Sequence, residues 1–355
     1  MTNAIVRPVR AALRRAADLR DLRRHTPAEV RYDAAASGTG TIHYLCPDAD
    51  KPSGGIRVIY RHVDLLNAAG LSAVVLHERP GFRVGWFHND TRVLATRDVT
   101  LGRDDLLVVP EIYGPGLGVL PAGCRKVVFN QNAYQTFSLV PFATTAAGAP
   151  YASVPGIEAH LTVSQDNAAL LRHAFGQVPV HVARVVVDER VFHPGGTPAG
   201  RRIGYMPRRR AEEQEQLLHI LRARGVLDGW ELVSIDGLTE AGTAEALRGC
   251  AVFLSFSERE GFGLPPAEAM ASGAYVVGFT GLGGRDFFDP AYCAPIAEAD
   301  LLAFAVAVED ALRRYEEDPG TLAAAGLAAS KQILAHYHED GLRADLLAFY
   351  GSLRR

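Results

Sequence analysis

The chain has 355 residues, which at roughly 150 residues per domain suggests two domains or one large one. Hydrophobic residues make up 48% and charged residues 22%, the balance of a globular protein that can bury sizeable cores without disulfides or a structural metal. A formal net charge of -3 argues against nucleic acid or an anionic membrane as the main partner of the whole chain, while leaving room for a local basic patch.

Residues 1–31 stand apart. They hold eight Arg against Asp18, Asp21 and Glu29, a side-chain sum of +5. Ile5, Val9, Ala12, Ala16 and Leu19 recur at helical spacing, which predicts a basic helical extension over 1–40. Its plainest reading is a solvated helix lying on the first domain. The alternative is a membrane-surface or partner-docking helix, a reading weakened by an apolar face made mostly of Ala.

From residue 41 strand-like and helix-like stretches alternate. Thr41–Cys46 reads as a strand, Ile56–Ala69 as a helix ended by Gly70, and Ser72–His77 as the next strand. Leu106–Val109, Lys126–Asn130 and Leu161–Ser164 are further strands, the last running into a helix over Gln165–Ala174. A Pro/Gly-rich junction, Phe192-His193-Pro194-Gly195-Gly196, interrupts the pattern. It resumes with the strand Arg202–Met206, the helix Glu212–Arg224, the strand Glu231–Ile235, the helix Glu240–Arg248 and the strand Ala251–Ser255. A helix around Ala267–Ala271 and the strand Ala274–Gly278 follow. The chain then turns helical over Asp300–Glu317, Thr321–His336 and Asp340–Leu353. Such alternation predicts an α/β protein of two Rossmann-like domains, 41–190 and 191–335, that face each other across a cleft and bind ligand at the carboxyl ends of their sheets. Residues 336–355 read as a final helix.

Cys46, Cys124, Cys250 and Cys293 are far apart, and no pair has a C-x-x-C spacing. A reducing compartment fits. No apolar run reaches the ~18 residues of a membrane span, and the N-terminus lacks the apolar centre of a secretory signal. The expected place is the cytoplasm, or the inner face of the membrane.

The strongest chemical signal runs from Ser255 to Gly273. An apolar strand delivers a turn, Glu260-Gly261-Phe262-Gly263-Leu264, and Pro265-Pro266 then open a helix carrying Glu268. Gly261 and Gly263 let a ligand approach the backbone. The helix N-terminus favours an anion. Glu260 and Glu268 can each accept two hydroxyls. The set suits a sugar joined to a phosphate.

Glu260 and Glu268 form an E-x7-E pattern inside E-G-F-G-L-P-x-x-E-A-M-A-x-G. This resembles the signature of retaining GT-B glycosyltransferases of family 4, as does Val186–Pro194 at the domain junction. The resemblance implies transfer of a sugar from a nucleotide diphosphate donor with retention of anomeric configuration, with no cofactor and no metal ion. It implies that Glu260 contacts the donor sugar, that Glu268 contacts the ribose, and that the backbone at Phe262, Gly263 and Leu264 lies near sugar and diphosphate. It also implies donor binding mainly on the second domain and acceptor binding mainly on the first, and a fold in which the final helix, 336–355, often crosses back to the N-terminal domain.

Further segments follow from the same resemblance. Arg208-Arg209-Arg210 stands at a strand end where the family binds the diphosphate, and cations there stabilise a leaving group of high negative charge. The usual following Lys is missing, so Arg208 shares the task with Arg209 or Arg210. Gly54-Gly55, between the first strand and helix, resembles a loop that meets phosphate or acceptor. Gly281–Asp286 resembles the family's sugar-contacting loop, through Gly283 and Gly284, with Asp286 as its acidic residue and Arg285 as a departure. Asn130, Gln131 and Asn132 stand where many members carry a His. Amides cannot act as general bases, but transfer in which the leaving phosphate takes the acceptor proton does not need one. Asp48-Ala49-Asp50 reads as a solvated turn and His62, His77 and His88 as surface or satisfied histidines, so none of these is expected to hold a metal.

These features imply transfer of a hexose or deoxyhexose to a glycan, lipid-linked or small-molecule acceptor, with no nucleic-acid partner and with residues 1–31 as a candidate stretch for peripheral membrane or partner-protein contact. The rivals are a nucleotide-sugar epimerase, which would need no acceptor, and a non-catalytic GT-B scaffold that binds nucleotide or a partner glycosyltransferase.

Overall fold

The computed structural model describes residues 25–195 and 200–353. The periodic stretch of the N-terminal extension, Ile5 to Leu19, lies outside them. The described chain divides into two compact units. The first takes the chain up to Thr162, then Ala168–Val182 and the stretch from Leu346 on; the second takes Val163–Asn167 and Ala183–Asp345. The chain therefore changes unit at Ala183 rather than near residue 190.

The first unit is built on a seven-stranded parallel sheet. Its strands are β2 (Ile42–Leu45), β3 (Ala73–His77), β4 (Val93–Ala95), β6 (Leu106–Pro110), β7 (Arg125–Asn130), β8 (Ile157–Thr162) and β9 (Val180–Val182), in the order β4-β3-β2-β6-β7-β8-β9. A short pair, β1 (Arg31–Tyr32) with β5 (Thr100–Leu101), stands apart. Every residue of β2, β3 and β6 is buried, as expected of parallel strands covered on both faces. Helix α1 (Gly54–Ala68) lays Ile56, Ile59, Tyr60, Val63 and Leu66 on the sheet at helical period. The strand order reverses between β2 and β6. Crossovers diverge at such a point and open a crevice at the carboxyl ends.

The second unit carries a five-stranded parallel sheet of β10 (Gly200–Tyr205), β11 (Glu231–Ser234), β12 (Cys250–Glu260), β13 (Tyr275–Leu282) and β14 (Ala294–Ile296), ordered β11-β10-β12-β13-β14. Its reversal lies between β10 and β12. Around it run α3 (Ala211–Ala223), α4 (Glu240–Arg248), α5 (Leu264–Ala271), α6 (Leu301–Glu317) and α7 (Pro319–His336); α2 (Gln165–Ala174) precedes them and α8 (Glu339–Leu353) follows. Ile203, Val252, Leu254, Val277, Phe279 and Phe304 form part of the core.

Two strands outrun their sequence expectation. The structure extends β12 from Ser255 to Glu260 and β13 from Gly278 to Leu282, with Glu260 paired to Leu282. Backbone freedom permits this. Gly278 (φ 137) and Gly281 (φ 63) take values that side chains resist, and Arg259 takes φ 46. Glu260 is thus a strand-end residue rather than a turn residue. The end of α8 joins the core of the first unit, where Tyr350 and Tyr44 are hydrogen-bonded through their hydroxyls at 2.5 Å, and Arg125 donates to the Leu353 carbonyl at 2.7 Å. All four cysteines are buried and free.

Candidate active site

In the second unit the arginines follow β10 and Glu260 ends β12, so both lie at the carboxyl side of the strand-order reversal. Arg208, Arg209, Ser257, Glu260, Pro265 and Pro266 line one pocket there. The Arg209 guanidinium pairs with Glu260 at 3.3 Å (Nε to Oε1). The Arg209 side chain is 55% exposed and that of Glu260 26%. Burial raises the Glu260 carboxyl above its ordinary range, and Arg209 and Arg208 partly offset that. Arg208 is exposed, and no carboxylate lies within 4.0 Å of it among the described residues.

Arg210 is spent otherwise. Its backbone takes the left-handed conformation (φ 49) at the start of α3, which turns the side chain away from its neighbours' course. That side chain is only 10% exposed. It pairs with Glu213 at 2.8 Å and with Glu298, donates to the Ser257 carbonyl at 3.2 Å, and lies over the Phe279 ring. Of the two neighbours left open by the sequence, Arg209 reaches the pocket and Arg210 braces its wall.

The cassette is divided in a similar way. Phe262 is 5% exposed, its ring packed on Phe287 and Tyr337, so only its backbone can serve a ligand. Gly263 caps α5 with φ 96, a conformation that favours glycine. Leu264, Pro265 and Pro266 are the first three helical residues, and the prolines carry no N–H. Of these three, Leu264 alone carries an amide N–H. Glu268 sits one turn further along α5, half-buried, and is not part of the pocket wall; neither are Phe262, Gly263, Leu264, Gly283 and Gly284.

The Gly-rich loop has a packing role. A Cβ on Gly283 would stand 2.4 Å from the Gly261 carbonyl carbon and 2.6 Å from the Glu260 oxygen. Leu282, just before it, holds φ 72 and ψ -63, a strained backbone of the kind that persists where surrounding structure fixes it. Asp286 is tied to a distant segment. Its carboxylate accepts the Gln165 amide at 2.6 Å and the Asp166 amide at 3.2 Å, the first amides of α2, which have no partners within the helix. Arg285 pairs with Asp166 at 3.1 Å.

In the first unit Gly54 and Gly55 open α1, whose N-cap Ser53 makes no side-chain cap bond. Gln131 donates from Nε2 to the Gly55 carbonyl at 3.2 Å, so the Gly-Gly turn and the end of β7 are tied together. Asn130 is buried and donates to Thr136 at 2.7 Å. Asn132 caps a short helical turn by accepting the Tyr134 amide at 3.1 Å. Asp48 is not a solvated turn residue. It accepts from His77 Nδ1 at 2.8 Å and the Arg79 amide at 2.8 Å, while His77 Nε2 meets the Tyr60 hydroxyl at 2.8 Å. His62 is fully buried and burial lowers it to about 3. Among the described residues no three His, Cys, Asp or Glu are grouped to hold a metal.

One buried acid at a strand end escaped the sequence reading. Glu111 follows β6 at the strand-order reversal of the first unit and is 6% exposed. Burial pushes its carboxyl up to about 7, although it accepts the backbone amides of Gln131 and Asn132. The signal was present in Leu106-Leu107-Val108-Val109-Pro110-Glu111: an acid directly after a wholly apolar strand.

No family model matches the chain. It is 25% identical over 256 residues to an alpha-1,6-glucosyltransferase of Actinobacillus pleuropneumoniae serotype 7, covering 67% of this chain and 72% of that protein. Among solved structures it resembles the sucrose-phosphate synthase of Thermosynechococcus elongatus, with TM-score 0.65 and 14% identity over 88% of this chain and 98% of that one. It also resembles HepE of Anabaena in complex with UDP-glucose, with TM-score 0.59 and 12% identity over 88% of this chain and 99% of that one. The chain has the GT-B fold, two Rossmann-like α/β units. No helix among the described residues is long and apolar enough to cross a membrane.

Proposed function

We propose that this GT-B chain is a glycosyltransferase that moves a hexose or deoxyhexose from a nucleotide diphosphate donor to a glycan, lipid-linked or small-molecule acceptor, with retention of configuration and without a metal ion. The observation that carries the reading is the convergence of Arg208, Arg209 and Glu260 at the carboxyl ends of β10 and β12, beside Pro265 and Pro266 at the opening of α5. Arg208 meets the diphosphate, and Arg209 leaves Glu260 to join it. Two cations then stabilise the charge that grows as the sugar–phosphate bond breaks. Glu260, released from its ion pair, faces the sugar, where its charge is most useful in the oxocarbenium-like transition state. Glu268 holds the ribose, a part of the donor that does not change. The leaving phosphate takes the acceptor's proton, so the amides at 130–132 need only bind hydroxyls.

UDP-glucose is the first donor to test, because a similar protein was solved with it and a relative is named a glucosyltransferase. The reading expects UDP release that depends on an acceptor, a product whose new linkage keeps the donor's α configuration by NMR, and a rate unchanged by EDTA. Glu260→Ala should mainly lower kcat and Glu268→Ala mainly raise the donor KM. An inverted product would refute retention, and loss of rate in EDTA would refute metal independence. Epimerised nucleotide sugar formed without acceptor would replace the reaction class.

A further inference from the structure

Three segments leave the carboxyl ends of neighbouring strands in the first unit: the loop from β2 into Gly54-Gly55, Glu111 directly after β6, and Gln131-Asn132 directly after β7. The sheet order places β6 between β2 and β7. Two sets of contacts join the three segments across the strand-order reversal. The Glu111 carboxylate accepts the backbone amides of Gln131 and Asn132. The Gln131 side chain then donates from Nε2 to the Gly55 carbonyl at 3.2 Å, reaching past β6 to the turn beyond it. A Cβ on Gly55 would stand 3.2 Å from that same nitrogen, so turn and side chain fit closely. One buried acid thus stands at the middle of a chain of bonds that links three strand ends.

An ionised carboxyl offers two oxygens and can take several amides at once. Glu111 takes those two and its own. No charged side chain is among the groups that shift it; Arg57, Arg61 and His62 of α1 are not. The segment Glu111–Val119 packs on β6, β7 and the turn Ala133–Gln135. β6 carries no titratable side chain. Those of β7 are Arg125 and Lys126, at its opposite end, where Arg125 pairs with Glu158 and Lys126 is held by the Pro121, Cys124 and Pro155 carbonyls. The turn adds Tyr134 and the segment itself Tyr113. The connection to β8 adds Tyr151, whose hydroxyl meets Asn130 at 3.3 Å. Burial raises the Tyr113 and Tyr151 hydroxyls far above neutrality, so both stay uncharged. The Glu111 carboxyl, pushed up to about 7 by burial, changes charge near neutral pH.

We infer that Glu111 is a positioning residue: its carboxylate holds the Gln131-Asn132 backbone and, through Gln131, the Gly54-Gly55 turn in the arrangement that receives the acceptor. The inference rests on the proposed function, which gives the amides at 130–132 to hydroxyls, and adds what holds them in place. Protonation turns one carboxyl oxygen into a donor that must find an acceptor of its own, so the turn loses a partner. Acceptor use is therefore full above pH 7 and fades as the acid takes up its proton. Stability runs the other way. The folded value lies above the ordinary 4.5, so the ionised form is the one that costs the fold stability. A residue that only braced the fold would move activity and stability together, whereas here they move in opposite directions.

The test compares the full chain with Glu111→Gln, which keeps the size and one acceptor oxygen but cannot ionise. Without substrate, the backbone amide resonances of Gln131 and Asn132 should shift with pH in the wild type, with a midpoint near 7, and stay still in the variant. With UDP-glucose as donor and methyl α-glucoside as the acceptor probe, wild-type kcat/KM for the acceptor should fall about tenfold from pH 8 to pH 6, the change in ionised fraction of a group that titrates near 7. The variant should be slow and lack that fall, yet at pH 8 bind UDP as the wild type does and melt no lower. Glu260, also raised by burial, is present in both proteins, so the difference between their profiles isolates Glu111. Wild-type amides that do not titrate overturn the inference, as does a variant with the wild-type rate and profile. So does a variant whose slower transfer comes with a lower melting temperature at pH 8, which would make Glu111 a brace alone. A wild type whose amides titrate but which releases no UDP counts against the proposed donor and leaves the hold on the turn supported.

Discussion

Replacing Gly283 by Ala tests whether the position of Glu260 matters. The new methyl carbon would stand 2.4 Å from the carbon and oxygen of the Gly261 carbonyl and 2.6 Å from the Glu260 oxygen, where ordinary contact begins near 3.4 Å. All three are backbone atoms, so no rotamer change relieves the contact. The two strand ends must part by about 1 Å, and a misplacement of that size can cost about 100-fold in rate. Gly283 does not lie in the positive-φ region, so Ala fits its conformation and the contact alone causes the effect. Overpacking of this kind costs about 1–3 kcal/mol, so the variant should fold. Gly85→Ala, where a Cβ would meet nothing within 4 Å, serves as control. The assay is kcat for transfer at saturating donor and acceptor, with a thermal melt of each protein. A folded Gly283→Ala variant with wild-type kcat would refute the claim that this packing sets Glu260 for catalysis.

Arg208→Ala should weaken UDP binding by calorimetry about 10- to 100-fold, through loss of charge-assisted bonds, and leave uridine binding nearly unchanged; equal losses for both ligands would remove the phosphate role. Arg210→Ala should act on stability instead, lowering unfolding free energy by about 2 kcal/mol because Glu213 and Glu298 lose their shared partner; a variant as stable as wild type would contradict that bracing role. Glu111→Gln has a pH signature. Its folded carboxyl, pushed up to about 7, lies above the ordinary 4.5, so the folded state favours the protonated form and the wild type loses stability as pH rises between those values. The gap in unfolding free energy should move by about 3 kcal/mol in the variant's favour from pH 4.5 to pH 8. A gap that stays constant across that range would show an unperturbed carboxyl.

The central strands were legible because buried parallel strands read as unbroken apolar runs, as in Ala73–His77 and Leu106–Pro110. The edge strands Val93–Ala95, Val180–Val182 and Ala294–Ile296 were not, since three residues carry no period. The extension of β12 was hidden by its own residues. Glu258-Arg259-Glu260 looks like a turn, and only the glycines of β13, far along the sequence, let it continue as a strand. At the site, the cassette announced itself through the Gly and Pro that its backbone needs. The division of labour among the arginines did not, because it depends on one left-handed residue, Arg210, and on Glu298 from a distant segment. The bonds of Asp286 were hidden for a related reason: nothing near it in sequence shows that the amides of Gln165 and Asp166 stand against it.

The end of α8 sets an order of events during synthesis. The sheet of the first unit is complete in sequence at Val182, yet Tyr44, at its centre, waits for Tyr350, and Arg125 waits for the Leu353 carbonyl. At about 5–20 residues per second a ribosome needs roughly ten to thirty seconds to travel from one to the other. The second unit is translated in that interval and can close its own core first. The half of the molecule that is made first is therefore the half that finishes last. Until then it holds a tyrosine hydroxyl and an arginine that have yet to meet these partners, so a stalled or shortened chain would offer chaperones and proteases the first unit rather than the second.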